Sequence, residues 1–114
     1  RVMNVNAPTG TTGEGTDPSI DTAQGKLKAR RAAELDGMRK LAEQIYGLQI
    51  SSNTMVRDFI TEYDEVMSQV EAVIRGAITS EPRFADGVAT VTVSIQGADV
   101  WRVVHSQVQI VERR

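Results

Sequence analysis

The chain has 114 residues, of which 40% are hydrophobic and 25% charged, and its formal net charge is -2. That suits one soluble domain with one core and gives no global attraction to nucleic acid or an anionic membrane. The absence of cysteine excludes disulfides, thiolate metal sites and a cysteine nucleophile, and no apolar run approaches the roughly 18 to 20 residues of a membrane span.

Residues 1–20 read as an extended N-terminal arm or linker, and residues 21–114 as a single α+β domain with a C-terminal helix/strand extension. Within the arm, APTGTTGEGTDPSI (7–20) mixes Gly, Pro and Thr without periodicity, which predicts a flexible linker. So little apolar area stays ordered only when it lies along its own domain or along a neighbour. Its glycines neither follow a strong strand nor precede Gly-Lys-Ser/Thr, which argues against a phosphate loop.

From about Asp21 to Tyr46 the positions Leu27, Leu35, Met38, Leu41, Ala42 and Ile45 recur at helical spacing, and Gly47 supplies a stop. The same stretch places Gly25, Ala29, Ala33 and Gly37 at every fourth position. Each interior glycine costs about 0.5 to 1 kcal/mol relative to alanine. Something must therefore lie close against this ridge, either the chain's own sheet or another molecule. At about 1.5 Å per residue the helix is nearly 40 Å long, more than a small sheet requires, so its N-terminal turns are expected to project.

The stretch LQISSNTMVRDF (48–59) alternates and predicts a strand. Thr61 and Asp64 have capping-box spacing, and Tyr63, Val66, Met67, Val70, Val73 and Ile74 mark one face of a second helix ending at Gly76. AITSEPRF and VATVTVSIQ then predict two strands joined through Ala85, Asp86 and Gly87, with Pro82 on an edge or near a bulge. Ala89, Val91, Val93 and Ile95 form a dry face, the seat for both helices, while Thr90, Thr92 and Ser94 form a wet one. The tail from Gly97 reads as a short helix followed by a strand carrying Val108 and Ile110. This order implies an α+β layer fold, with two main helices on one face of a three- to four-stranded, mostly antiparallel sheet.

Little in this pattern carries chemistry. His105 beside Ser106 lies in no nucleophile-elbow motif, and one histidine without cysteine argues against a transition-metal site. No pair of titratable residues is placed for acid-base work, so no enzyme and no cofactor is expected. Asp58, Glu62, Asp64 and Glu65 cluster at the start of the second helix, where capping and the macrodipole explain negative charge. Lys26, Lys28, Arg30 and Arg31 form a basic run that reads as a solvated face, and 4% aromatic content leaves little for stacking on bases.

The charge asymmetry is more informative. Residues 21–47 hold six basic and four acidic groups, and residues 58–76 hold one basic and five acidic. That complement can be satisfied inside the domain, or it can steer copies together head to tail. The candidate self-assembly interface is Gly25, Lys26, Lys28, Ala29, Arg30 and Arg31 on the first helix, Glu62, Asp64 and Glu65 on the second, and Trp101, an aromatic suited either to a core or to an interface.

ARRAAELDGMRKLAEQIYGLQI, followed by VEAVIRGAI and DGVATVTVSI, resembles the family of small bacterial outer-membrane lipoproteins that includes the flagellar basal-disk protein FlgP, with a related module in the flagellar assembly protein FlgT. The likeness covers roughly residues 26–96. It implies a dodecin-like (SHS2-type) strand-helix-strand-strand module without catalysis, exported to the periplasm. It further implies attachment to the outer membrane by a lipid anchor upstream of Arg1, and many copies assembled into large rings, with other flagellar or envelope proteins as partners. By analogy with dodecin-like folds that hold flavins, a periplasmic module binding a small ligand or cell-wall component through the wet sheet face and Trp101 stands as the alternative.

Overall fold

Residues 8–49 and 53–112 are described by a computed structural model, in which the chain runs β1 (Pro8–Gly15), α1 (Ala23–Tyr46), α2 (Val56–Glu62), α3 (Asp64–Arg75), β2 (Ile78–Thr79), β3 (Arg83–Ala85), β4 (Val88–Gln96) and α4 (Gly97–Glu112). Among these residues the fold is α+β, with four helices and a four-stranded antiparallel open sheet. Two compact units divide the chain. A sheet unit holds Gly10–Leu41 and Ala77–Ser94, and a helical unit includes Ala42–Gly76 and the chain from Ile95 on.

In the sheet unit, β4 is the central strand, with β1 along one edge and β2 and β3 along the other. Its alternation sets the two faces as the sequence predicts: Ala89, Val91 and Val93 are buried, while Thr92 opposite is exposed. Asp86 and Gly87 both take positive φ, 53° and 77°, as a two-residue turn matched to strand twist requires. Pro82, which has no N–H to give a ladder, falls in the gap between β2 and β3. Ser80 bridges that gap: its N–H donates to the Thr92 carbonyl at 2.9 Å, and its hydroxyl accepts the Thr92 N–H at 2.9 Å.

Thr22 caps α1. Its hydroxyl accepts the Gly25 N–H at 3.0 Å and donates to the Ser19 carbonyl at 2.7 Å, which satisfies one of the orphan donors of the first turn. The ridge of small residues is the buried face. Gly25, Ala29, Ala33 and Gly37 are all buried, and the same every-fourth-residue line continues through Leu41 and Ile45. Leu27 and Leu35, read from sequence as part of the apolar stripe, are instead 66% and 63% exposed.

What lies on the ridge is the chain's own β1, the segment whose composition predicts a linker. A Cβ on Gly13 would run into the Ala33 carbonyl oxygen and the Gly37 backbone, and one on Gly15 into the Ala29 carbonyl oxygen. From the helix side, a Cβ on Gly37 would stand 2.8 Å from Val93 Cγ2 and 3.4 Å from the Gly13 Cα. Strand and helix backbones touch because neither carries a side chain at the crossing. Gly25 has a separate reason: a Cβ there would strike the Ser19 carbonyl of the capping turn.

In the helical unit the expected strand 48–59 is not formed over its described part. Residues 50–52 lie outside the described residues, and the flanks meet through an isolated Gln49–Met55 bridge, with the Val56 N–H donating to the Leu48 carbonyl at 2.8 Å. From Val56 the chain is helical. Val56 and Ile60 are buried one turn apart, and the Asp58 carboxylate accepts the Met55 N–H at 3.0 Å at the helix start. Burial of that i, i+4 pair prevails over β-propensity. Thr61 does not cap; its hydroxyl donates to the Arg57 carbonyl at 2.8 Å. Tyr63, extended at φ -126°, separates α2 from α3.

Helix α3 packs against both α2 and α4, burying Val66, Val70 and Ile74. The expected C-terminal strand is absent, since α4 runs unbroken from Gly97 to Glu112. Val100 and Val104, also i and i+4, are buried, and once such a face nucleates a helix each further residue adds a backbone hydrogen bond.

Substituting Gly13→Ala should therefore lower stability by about 1 to 3 kcal/mol, the usual range for overpacking. Gly47→Ala, whose new Cβ would meet nothing nearer than the Glu43 carbonyl oxygen at 3.5 Å, should stay within about 0.5 kcal/mol. Urea midpoints compare the two, and an unchanged Gly13→Ala midpoint would refute the backbone contact.

Candidate assembly interface

The residues expected at an interface separate into buried, internally engaged and unpaired ones. Gly25 and Ala29 are not available to a second copy, because both are buried inside the sheet unit, Gly25 beneath the Ser19 turn and Ala29 beneath Gly15. Lys26 turns back to its own sheet, its Nζ 5.7 Å from the centre of the Phe84 ring, within cation–π reach. Arg30 Nε pairs with Glu34 at 3.0 Å along the same helix. Lys28 and Arg31 are exposed and form no ion pair among the described residues.

Glu62, Asp64 and Glu65 are exposed and unpaired in the same sense. The macrodipole accounts for Asp64 and Glu65 in the first turn of α3. Glu62, the last residue of α2 and the one before the α3 cap residue Tyr63, stands between the disfavouring end of one helix dipole and the favouring end of the next. Met67, one turn on from Asp64, is 38% exposed. Trp101 is half-buried and stacks on His105 of the next turn, the ring centres 4.9 Å apart.

Sequence reading missed Leu27 and Leu35, although the signal was present. Each stands two residues beyond a ridge position, which at about 100° per residue is nearly the opposite side of the helix. Arg31 shares that offset. Leu27, Arg31 and Leu35 thus form one outward line, and an open groove of about 360 Å³ runs among Leu27, Arg30, Arg31 and Glu34. A second hollow, of about 140 Å³, is lined by Ile20, Asp21, Lys26, Phe84 and the 86–87 turn, smaller than the roughly 300 Å³ at which ligand pockets begin. Among the described residues no three His, Cys, Asp or Glu side chains group as a metal site would require, and no helix is long and apolar enough to cross a membrane.

The most perturbed carboxylate supports the fold. Asp36 Oδ2 accepts the Glu14 N–H of β1 at 2.9 Å and meets Lys40 Nζ at 3.0 Å, while Oδ1 meets Arg39 at 3.0 Å. The backbone donor first, then Lys40 and Arg39, hold this carboxyl far below the usual range. In the helical unit, burial and then the Glu71 charge raise the Tyr46 phenol. No family model, curated protein or solved structure matches this chain.

Because the folded Asp36 is the stronger acid, the unfolded chain takes up the proton first, near about pH 4. Its contribution is complete above that value and is lost as pH falls towards the folded pKa. Asp36→Asn should therefore show a smaller fall in urea midpoint between about pH 5 and pH 2.5 than the parent chain. Parallel falls in both would show that the contact of β1 with Asp36 contributes nothing.

Proposed function

We propose that this protein is a non-enzymatic structural building block that assembles from many copies into a large periplasmic ring or disk at the outer membrane, as part of a flagellar motor scaffold. The observation that carries the reading is the outer face of α1, where two leucines stay mostly exposed on either side of an unpaired arginine. A lone exposed leucine needs no explanation. Two on one line beside unpaired cations describe a surface suited to being covered. The opposite charge of α2 and α3 supplies a complement within the same molecule, and the resemblance to the basal-disk lipoproteins supplies the ring, the compartment and the anchor. A dodecin-like arrangement of strand, helix and hairpin is the finer reading of the α+β fold. The order β1, α1, β2, β3, β4 of the sheet unit supports it, with the short β2 and β3 together on one side of β4.

The alternative, a module binding a ligand or cell-wall component, has the wet face of β4 and the half-buried Trp101 in its favour. The hollows count against it, one small and one open along a single helix. Tryptophan fluorescence should stay unchanged on adding flavins or glycan fragments.

Light scattering and negative-stain images of the purified chain should show large, regular particles that grow with concentration. Leu27→Ser combined with Leu35→Ser should abolish them while leaving helicity and melting unchanged, since neither leucine is in the core. A parent chain that stays monomeric at every concentration and salt level contradicts the proposal.

A further inference from the structure

Building on the self-assembly reading, we infer that the outward line of α1, formed by Leu27, Arg31 and Leu35 with Lys28 beside it, docks on the surface spanning Glu62 to Met67 of a second copy. The first surface offers two exposed apolar side chains bracketing a cation that has no ion pair among the described residues. The second offers Glu62, Asp64 and Glu65, likewise unpaired, next to a part-exposed methionine. Each patch thus sets exposed apolar side chains beside unpaired charge of one sign, Glu34 of the groove being paired with Arg30, and the signs are opposite. Leu27 and Leu35 lie about 12 Å apart along the axis, two helical turns, with Arg31 one turn from each.

The open groove beside Leu27 and Arg31 is a place for a flexible apolar side chain, and methionine is the residue type that adapts to irregular gaps. Glu62 is accounted for in the same way. An anion between the end of α2 and the start of α3 has opposing helix dipoles on its two sides and gains from a lysine or arginine across an interface. When each copy uses its two patches on two different neighbours the contact is heterologous and repeats from copy to copy, as rings and filaments require. The small-residue ridge takes no part, being filled by β1 and Val93 of the same chain.

Two charge-reversed proteins test this, each first checked for unchanged helicity. One carries Lys28→Glu and Arg31→Glu; the other carries Glu62→Lys, Asp64→Lys and Glu65→Lys. Alone, each sets like charges against like and should need at least about tenfold more protein to assemble than the parent chain. Mixed in equal amounts they restore opposite charges at every junction, alternating along the assembly, and should assemble at a concentration close to that of the parent. If the parent assembles and the single variants do so equally well, or if their mixture stays dispersed, the assigned surfaces are wrong while the scaffold reading stands. If the parent itself never assembles, both fall. Binding of the parent to anionic phosphatidylglycerol vesicles without assembly, lost on Lys28→Glu with Arg31→Glu, would give this face to a membrane instead and overturn the inference.

Discussion

Everything in the sheet unit depends on one close approach, the crossing of β1 over α1 at Gly13 and Gly37. Two backbones can touch only where side chains are missing from both, and at this crossing a Cβ on either glycine would meet the other element. The cost of interior glycines in a helix is offset by the strand that packs into the space. The Asp36 carboxylate fastens the same crossing, taking up the Glu14 N–H that faces the helix. An edge-strand donor is thereby occupied by the molecule's own side chain, which reduces its use as a template for stray pairing.

That crossing decides which faces of α1 are free. A ridge recurring every four residues and consumed by β1 turns the line two residues further on towards solvent, and that line carries Leu27, Arg31 and Leu35. The helix is therefore amphipathic in an unusual sense, with its smallest residues inside and two of its leucines outside. Hydrophobicity alone reads such a helix with the wrong face buried. Size reads it correctly, because close packing requires small residues and exposure does not.

The legible and illegible parts of the fold divide along the same physical line. The β4 strand, its turn at Asp86 and Gly87, and the length of α1 follow from period, turn chemistry and stop signals that act within a few residues. β1 was illegible because the residues it lays on the helix are Gly13 and Gly15, preceded in the same alternation by Thr9 and Thr11, which leaves no apolar alternation; only the match of the glycines to the small ridge twenty residues later marks it as a strand. The strand expected around Val56 and the one expected around Val108 failed for another reason. In short segments with β-branched residues, an i, i+4 pair buried against other helices prevails over local alternation, and those partners lie outside the alternating segment itself. Of the expected interface, Lys28, Arg31, Glu62, Asp64 and Glu65 remain available at the surface, whereas Gly25 and Ala29 do not, since a sequence shows that a ridge is small but not what fills it.

The central claim is that the ridge is satisfied within one chain and that copies meet through the opposite face. The chain has no cysteine of its own, so single introduced thiols report on one site each. Thiol-labelling rates of the Ala29→Cys and Leu27→Cys variants, measured in dilute monomer and under assembling conditions, test the claim most directly. The account predicts that Ala29→Cys is protected in both states, and that Leu27→Cys labels freely as monomer and slows sharply on assembly. An Ala29→Cys variant that labels as fast as Leu27→Cys in the monomer, and becomes protected only on assembly, would contradict it.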